Sequence, residues 1–102
     1  MSNITQAREA LVSRILEGKA EASSAQRRAA FVNAVADGPL RTLVDKVARH
    51  AHQVTDEDIA AARASGLTEN EIYELVVCAA VGAAGRQLDA GLAALAAAVG
   101  EK

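Results

Sequence analysis

The side chains best suited to chemistry lie near the middle of the chain. His50 and His52 are one residue apart, and Asp56, Glu57 and Asp58 follow closely. Histidine titrates near neutral pH, and a neighbouring carboxylate can orient it as a general base. His52 and Asp56 have the spacing for this if one helix runs through both, whereas a solvated or helix-capping histidine is the structural alternative. The acidic triplet is otherwise typical of a helix N-terminus.

A metal site is a second interpretation of the two histidines. Residues two apart point to the same side of a strand but to nearly opposite sides of a helix. His50 and His52 therefore converge only if a helix ends between them. The remaining ligands would have to be acidic side chains, and we expect no metal and no cofactor.

Cys78 and Arg86 are the other two candidates. Cys78 is the single cysteine and lies in an apolar helical stretch, where a free cysteine is typically buried and inert. Arg86 interrupts a segment that is nearly uncharged. A buried arginine needs a carboxylate partner or exposed backbone carbonyls. We expect structural pairing, with Asp89, Glu71 and Asp58 as candidate partners, or the binding of a small anion in a cavity.

Composition excludes several classes of protein. The chain has 102 residues, a net charge of −2 and 2% aromatic residues. This length suits a single domain over 1–102, and the charge and the few aromatics argue against nucleic-acid or anionic-membrane partners. No apolar run of about 18 residues is free of charge, which argues against a membrane span. The N-terminus lacks a basic-then-apolar signal pattern, so we expect a cytoplasmic protein.

Alanine content and apolar spacing predict an all-α domain of about five helices. The chain contains 25 alanines, and alanine is the best helix former. We predict helices over 4–17, from a Ser23/Gln26 capping box to Asp37–Gly38, from Pro39 to about Ala51, from Thr55/Asp58 to Ser65–Gly66, and over 69–98 after a Thr68/Glu71 capping box. Two helices that meet near Gly85 are the alternative for the last segment. The glycines of that segment suggest a kink or a close helix crossing.

Small side chains limit the apolar area that one copy can bury. Leu88, Leu92, Leu95 and Val99 form an apolar stripe with 4-3-4 spacing at the end of the last helix. A chain so rich in alanine can gain buried area by associating with copies of itself. We therefore expect a homo-oligomer.

The segment 62–75 reads Ala-Arg-Ala-Ser-Gly-Leu-Thr-Glu-Asn-Glu-Ile-Tyr-Glu-Leu; a predicted helix precedes it, and a helix of small residues with Arg86 near its middle follows. With these features the stretch 43–95 resembles the carboxymuconolactone decarboxylase/alkylhydroperoxidase D-like superfamily. The resemblance implies the helical fold of that superfamily. In its redox branch a Cys-x-x-Cys precedes this hairpin and a histidine follows four residues after the second cysteine.

The superfamily's catalytic set is missing from this chain. The Cys-x-x-Cys positions read Ala51-His52-Gln53-Val54, and the position of the histidine is occupied by Asp58. The place of a family glutamate falls at Pro39. Because disulfide reduction needs an attacking and a resolving thiol, the resemblance implies a member without this redox chemistry.

Three functional hypotheses follow. The first is a divergent, non-redox member that is a structural or partner subunit of an oligomer. The second is a small-molecule enzyme of the decarboxylase kind, with His52 and Asp58 as catalytic residues and Arg86 and His50 as ligand-binding residues for a small carboxylate. The third is a helical interaction module unrelated to the superfamily.

Overall fold

The computed structural model describes the backbone of residues 2–100 and the side chains of residues 4–100. Within this range the chain is all-helical. Its helices are α1 (Ser2–Glu17), α2 (Ser24–Phe31), α3 (Pro39–His50), a short 3-10 helix η1 (Ala51–Gln53), α4 (Asp56–Ala64) and α5 (Glu69–Gly100). The prediction of an all-α chain is confirmed.

Local sequence signals set most of the helix ends. Ser23 and Gln26 form the predicted capping box of α2, Thr55 and Asp58 form that of α4, and Thr68 and Glu71 exchange the same two hydrogen bonds before α5. Each box satisfies backbone N–H groups that a helix N-terminus leaves without partners. Pro39 occupies the first turn of α3, where its missing N–H costs no hydrogen bond.

The predicted end of α2 near Asp37–Gly38 is wrong, because the helix ends at Phe31. Asn33 adopts a left-handed conformation with φ of 55°. The N–H of Ala34 donates to the carbonyl of Ala29 at 2.8 Å, and that of Asn33 donates to Ala30 at 3.1 Å. This is a Schellman ending with asparagine in the position that glycine usually takes. The Asn33 side chain also donates to Asp45 on α3, at 3.0 Å.

The other four α-helices pack around α5. It contacts all of them, and its contacts with α2 and α3 are the most extensive. The fully buried side chains are small or medium in size, the largest being Leu43, Val44, Leu75 and Cys78. The core therefore surrounds the first half of α5.

The last segment is one unbroken helix of 32 residues, as predicted, rather than two helices that meet near Gly85. Gly82 marks a close crossing. A Cβ atom at this position would lie 1.9 Å from the Phe31 carbonyl oxygen and 3.1 Å from the Phe31 Cα. Only a residue without a side chain allows the end of α2 to approach α5 so closely.

We predict that Gly82→Ala destabilises the fold by about 1–3 kcal/mol, because the backbone of α2 must move to admit the methyl group. Urea unfolding followed by circular dichroism measures this. Gly85→Ala is the matched control, since its new Cβ would meet only the flexible end of the Arg8 side chain. Equal stability of the two variants would contradict the close crossing.

Candidate functional site

The two histidines come together where α3 ends. His50 is the last residue of α3 and His52 lies in η1, so the helix does end between them. Their ring centroids are 6.2 Å apart with nearly perpendicular planes, and both residues are exposed. No group of three or more His, Cys, Asp or Glu side chains that could hold a metal ion occurs among the described residues. The pair is an exposed edge-to-face contact.

The proposed alignment of His52 with Asp56 required one continuous helix, and the chain does not provide it. Val54 and Thr55 are both extended and separate η1 from α4. This break removes the geometric basis for treating Asp56 as the orienting group of a His52 general base. It has a local cause, because Thr55 must be non-helical to cap α4.

Asp58 is part of the framework of α4. Its carboxylate accepts hydrogen bonds from Lys46 Nζ at 2.9 and 3.1 Å and from the Thr55 backbone N–H at 2.9 Å. The side chain is only 12% exposed. Two hydrogen bonds hold the pKa of Asp58 below its usual range: the one from Lys46 has the larger effect, and the one from the Thr55 backbone N–H has the smaller effect. The group is therefore a carboxylate near neutral pH and links α3 to α4.

Arg86 does not pair with any of the three predicted carboxylates. Its Nη1 donates to the Phe31 carbonyl oxygen at 2.6 Å. Asp89 instead accepts two hydrogen bonds from Arg8, at 2.8 and 3.0 Å. Glu71 is part of the capping box before α5 and Asp58 binds Lys46. Arg86 thus satisfies a carbonyl group at the end of α2, which helices leave without an internal partner.

Arg86 also lines an open cavity of about 460 Å³ between the end of α2, α3 and α5. Arg49, Asn33 and Gln87 contribute to the same wall. Arg49 forms an ion pair with Asp45 at 3.0 Å. His50, His52 and Asp58 do not line this cavity. The structure therefore places the four predicted site residues in three separate settings: the histidine pair, the Lys46 ion pair and the Phe31 carbonyl.

The sequence does not reveal two polar contacts of the α1–α2 connection, one from the buried Arg27 and one from the partly buried Glu74. Arg27 is 6% exposed, and its Nη1 donates to the carbonyls of Ile15 and Gly18 at the end of α1. The Glu74 carboxylate accepts from the backbone N–H groups of Glu21 and Ala22 at 3.1 and 2.7 Å. Both groups satisfy the backbone of the α1–α2 connection. Their partners are backbone atoms of other elements, so no side-chain motif in the sequence identifies them.

Cys78 is buried, as predicted. Its Sγ lies 3.7 Å from the Ile15 carbonyl oxygen, and the residue belongs to the main core cluster. Burial raises the pKa of the thiol above its usual value. Since the thiolate is the reactive form, the position and the protonation of this cysteine both disfavour reaction.

An apolar groove lies between α1, the end of α2 and α5, with a volume of about 550 Å³. Its apolar lining consists of Ile4, Val12, Leu16, Phe31, Leu88 and Leu92. Both arginines of the groove are paired with a carboxylate, Arg8 with Asp89 at 2.8 Å and Arg28 with Glu17, and Glu9 also lines it. The groove therefore favours an apolar occupant over a charged one.

The apolar stripe at the end of α5 continues from this groove without cover. Leu88, Leu92, Leu95 and Val99 are 48%, 46%, 60% and 62% exposed. Arg8 lies beside Gly85 and Asp89, and Cys78 beside Ile15, so α1 runs antiparallel to α5. Because α1 begins at Ser2, α5 continues past the start of α1.

By length and composition, α5 is apolar enough to cross a membrane. Its most apolar 18-residue stretch has a mean hydropathy of 1.3, and 28% of that stretch is buried in the fold. A core helix of a soluble protein passes the same test, so this is weak support for a span. Every 18-residue stretch of α5 contains the charged Arg86, and the expectation of no membrane contact stays a prediction.

No family model, curated protein or solved structure matches this chain.

We predict that Asp58→Asn weakens the acid dependence of stability. A carboxyl whose pKa is lower in the folded state stabilises the fold above its unfolded pKa of about 3.9, and this contribution is lost as the pH falls through the folded pKa. The unfolding free energy of the wild type should therefore decrease below about pH 4, and less steeply in the variant. Asp45 and Asp89 also have lowered pKa values, so part of the slope remains.

Asp56→Asn is the control for this experiment, because Asp56 is exposed in the same first turn. The pH profile of Asp58→Asn should be flatter than that of this control. Urea unfolding between pH 3 and 7 provides the comparison, and identical profiles for Asp58→Asn and the wild type would refute the assigned role of the Lys46–Asp58 contact.

We predict that Cys78 reacts slowly with a thiol reagent in the native protein and rapidly in denaturant, because the thiol is buried and protonated. Colour release from an aromatic disulfide reagent at pH 8 gives both rates. Native labelling as fast as that of the unfolded chain would show that Cys78 is accessible.

Proposed function

We propose that this chain is a divergent, non-redox member of the carboxymuconolactone decarboxylase-like superfamily that acts as a structural or partner subunit of a homo-oligomer. The exposed apolar stripe on the second half of α5 is the observation that supports self-association. The family assignment rests on the sequence resemblance, and the helical hairpin from α4 to α5 is compatible with it.

The hairpin has a well-defined local geometry. α4 ends at Ala64, Gly66 has a φ of 111°, and the Thr68/Glu71 capping box starts α5 three residues later. These are the residues of the quoted family segment. The left-handed glycine explains why Gly belongs at position 66, since other residues rarely adopt this φ.

Global dimensions support the need for a partner. The radius of gyration is 15.5 Å and the extents are 54 × 29 × 20 Å, whereas a compact chain of this length has a radius of about 13 Å. The accessible surface is 6808 Å², whereas a folded monomer of this mass exposes about 5400 Å². A standard protein interface buries about 800 Å² per partner. The accessible surface that exceeds that of a typical monomer is therefore large enough to contain an interface of ordinary size.

The end of α5 also needs support of its own. From Gln87 to Gly100 every residue is exposed, whereas most helical stability in proteins comes from tertiary packing of one helix face. The alanines favour the helix, but four large apolar side chains on one face would remain in water. Contact with another copy would give this part of α5 a packing partner and would bury the four apolar side chains.

A small-molecule decarboxylase that uses His52 or His50 with Arg86 was the alternative. It requires these side chains to line a common cavity, and the cavity beside Arg86 has Arg49, Asn33 and Gln87 in its wall instead. The arrangement within one copy therefore favours the subunit hypothesis. The cytoplasmic location and the small anionic ligand stay predictions.

We predict that Leu95→Glu weakens self-association by about a hundredfold or more, since burial of each leucine is worth about 1.5–3 kcal/mol and two copies lose it. Light scattering across a dilution series measures the dissociation. Ala97→Glu is the matched control: it adds the same charge to the same exposed helix, two residues away and off the apolar stripe.

Two results would overturn the proposal. A wild-type chain that is monomeric at micromolar concentration contradicts the assembly. Turnover of a peroxide or a lactone that is lost in Cys78→Ala or His52→Ala contradicts the non-catalytic role.

A further inference from the structure

We infer that two copies associate through antiparallel α5 helices, with the end of α5 from each copy lying in the α1–α5 groove of the other. This rests on the proposed self-association and specifies its geometry. The site is complete only with the second copy, because Leu95 and Val99 of one chain supply the apolar occupant of the other chain's groove.

The spacing of the stripe is the first argument. The intervals between Leu88, Leu92, Leu95 and Val99 are 4, 3 and 4 residues, which read the same in both directions. An alternation of 4 and 3 is the pattern that keeps one helix face against a partner helix. In an antiparallel pair, Leu88 faces Val99 of the second copy and Leu92 faces Leu95. Every stripe residue then meets a stripe residue, and a two-fold axis passes between Ala93 and Ala94.

The residues beside the stripe are the second argument. Gly91, Ala96 and Ala98 flank it and are small, which permits a close approach of two helix backbones. The exception is Asp89, whose carboxylate already accepts two hydrogen bonds from Arg8. A charge that enters the interface as half of an ion pair avoids the penalty of an unpaired buried charge.

The position of the groove is the third argument. Leu88 and Leu92 are both stripe residues and part of the groove wall, which α1 completes with Ile4 and Val12. The antiparallel register brings Leu95 and Val99 of the second copy to Leu92 and Leu88, and so to the groove. A parallel pair would set Leu88 against Leu88 and Leu92 against Leu92, so that the two grooves face each other, and Leu95 and Val99 would enter neither groove.

Antiparallel packing also opposes the two helix dipoles, which favours this direction electrostatically. It places the α2, α3 and α4 helices of the two copies at opposite ends of the paired α5 helices. In this arrangement α1 and α5 of both copies form a four-helix layer around the stripe.

Disulfide trapping between two single-cysteine variants tests the direction. Leu88→Cys and Val99→Cys are made separately in a Cys78→Ala background, with chains of different mass, then mixed and oxidised. We expect a disulfide between the two different chains and little between identical chains. Leu92→Cys mixed with Leu95→Cys should behave in the same way, and Ala97→Cys, which lies off the stripe, should form no link.

Each alternative outcome overturns the inference in a distinct way. Disulfides between two identical Leu88→Cys chains or two identical Val99→Cys chains indicate parallel helices. An oligomer by light scattering that forms neither type of disulfide contradicts this interface but leaves the proposed function standing. A monomer contradicts both, and a monomer that binds neutral lipid vesicles through α5 assigns the stripe to a membrane instead.

Discussion

The close approach of the end of α2 to α5 at Gly82 is the contact on which the rest of the fold depends. Only glycine lets the Phe31 carbonyl come so near to the helix. Arg86, one turn further along α5, then donates a hydrogen bond to that same carbonyl. Asn33 ends α2 in a left-handed turn and reaches Asp45 on α3. This small region fixes α2 and α3 on the first half of α5.

The same packing leaves every residue of α5 from Gln87 to Gly100 exposed. A helix of 32 residues is about 48 Å long, and the bodies of α2, α3 and α4 surround only its beginning. The apolar stripe from Leu88 to Val99 has a regular spacing, and within one copy its four side chains are between 46% and 62% exposed. This imbalance is the reason we propose self-association, and the symmetric spacing of the stripe is the reason for the direction that we propose.

Local signals in the sequence predicted much of the fold. The capping boxes at Ser23, Thr55 and Thr68 and the unbroken α5 are all present, because the interactions that define them lie within three or four residues. The end of α2 was mispredicted, since asparagine at position 33 replaces the more familiar glycine. The three carboxylates suggested for Arg86 were wrong, because it binds a backbone carbonyl on another helix, and which carbonyl this is follows only from the packing.

Hydrogen exchange along α5 tests the central claim most directly, because it reports whether the backbone of 87–100 is covered in solution. The account predicts that amides between Leu92 and Val99 exchange slowly at high protein concentration. Protection should fall on dilution, while amides near Leu75 remain protected at all concentrations. Fast exchange over 87–100 at every concentration, with the core still protected, would show that no second copy covers the end of α5.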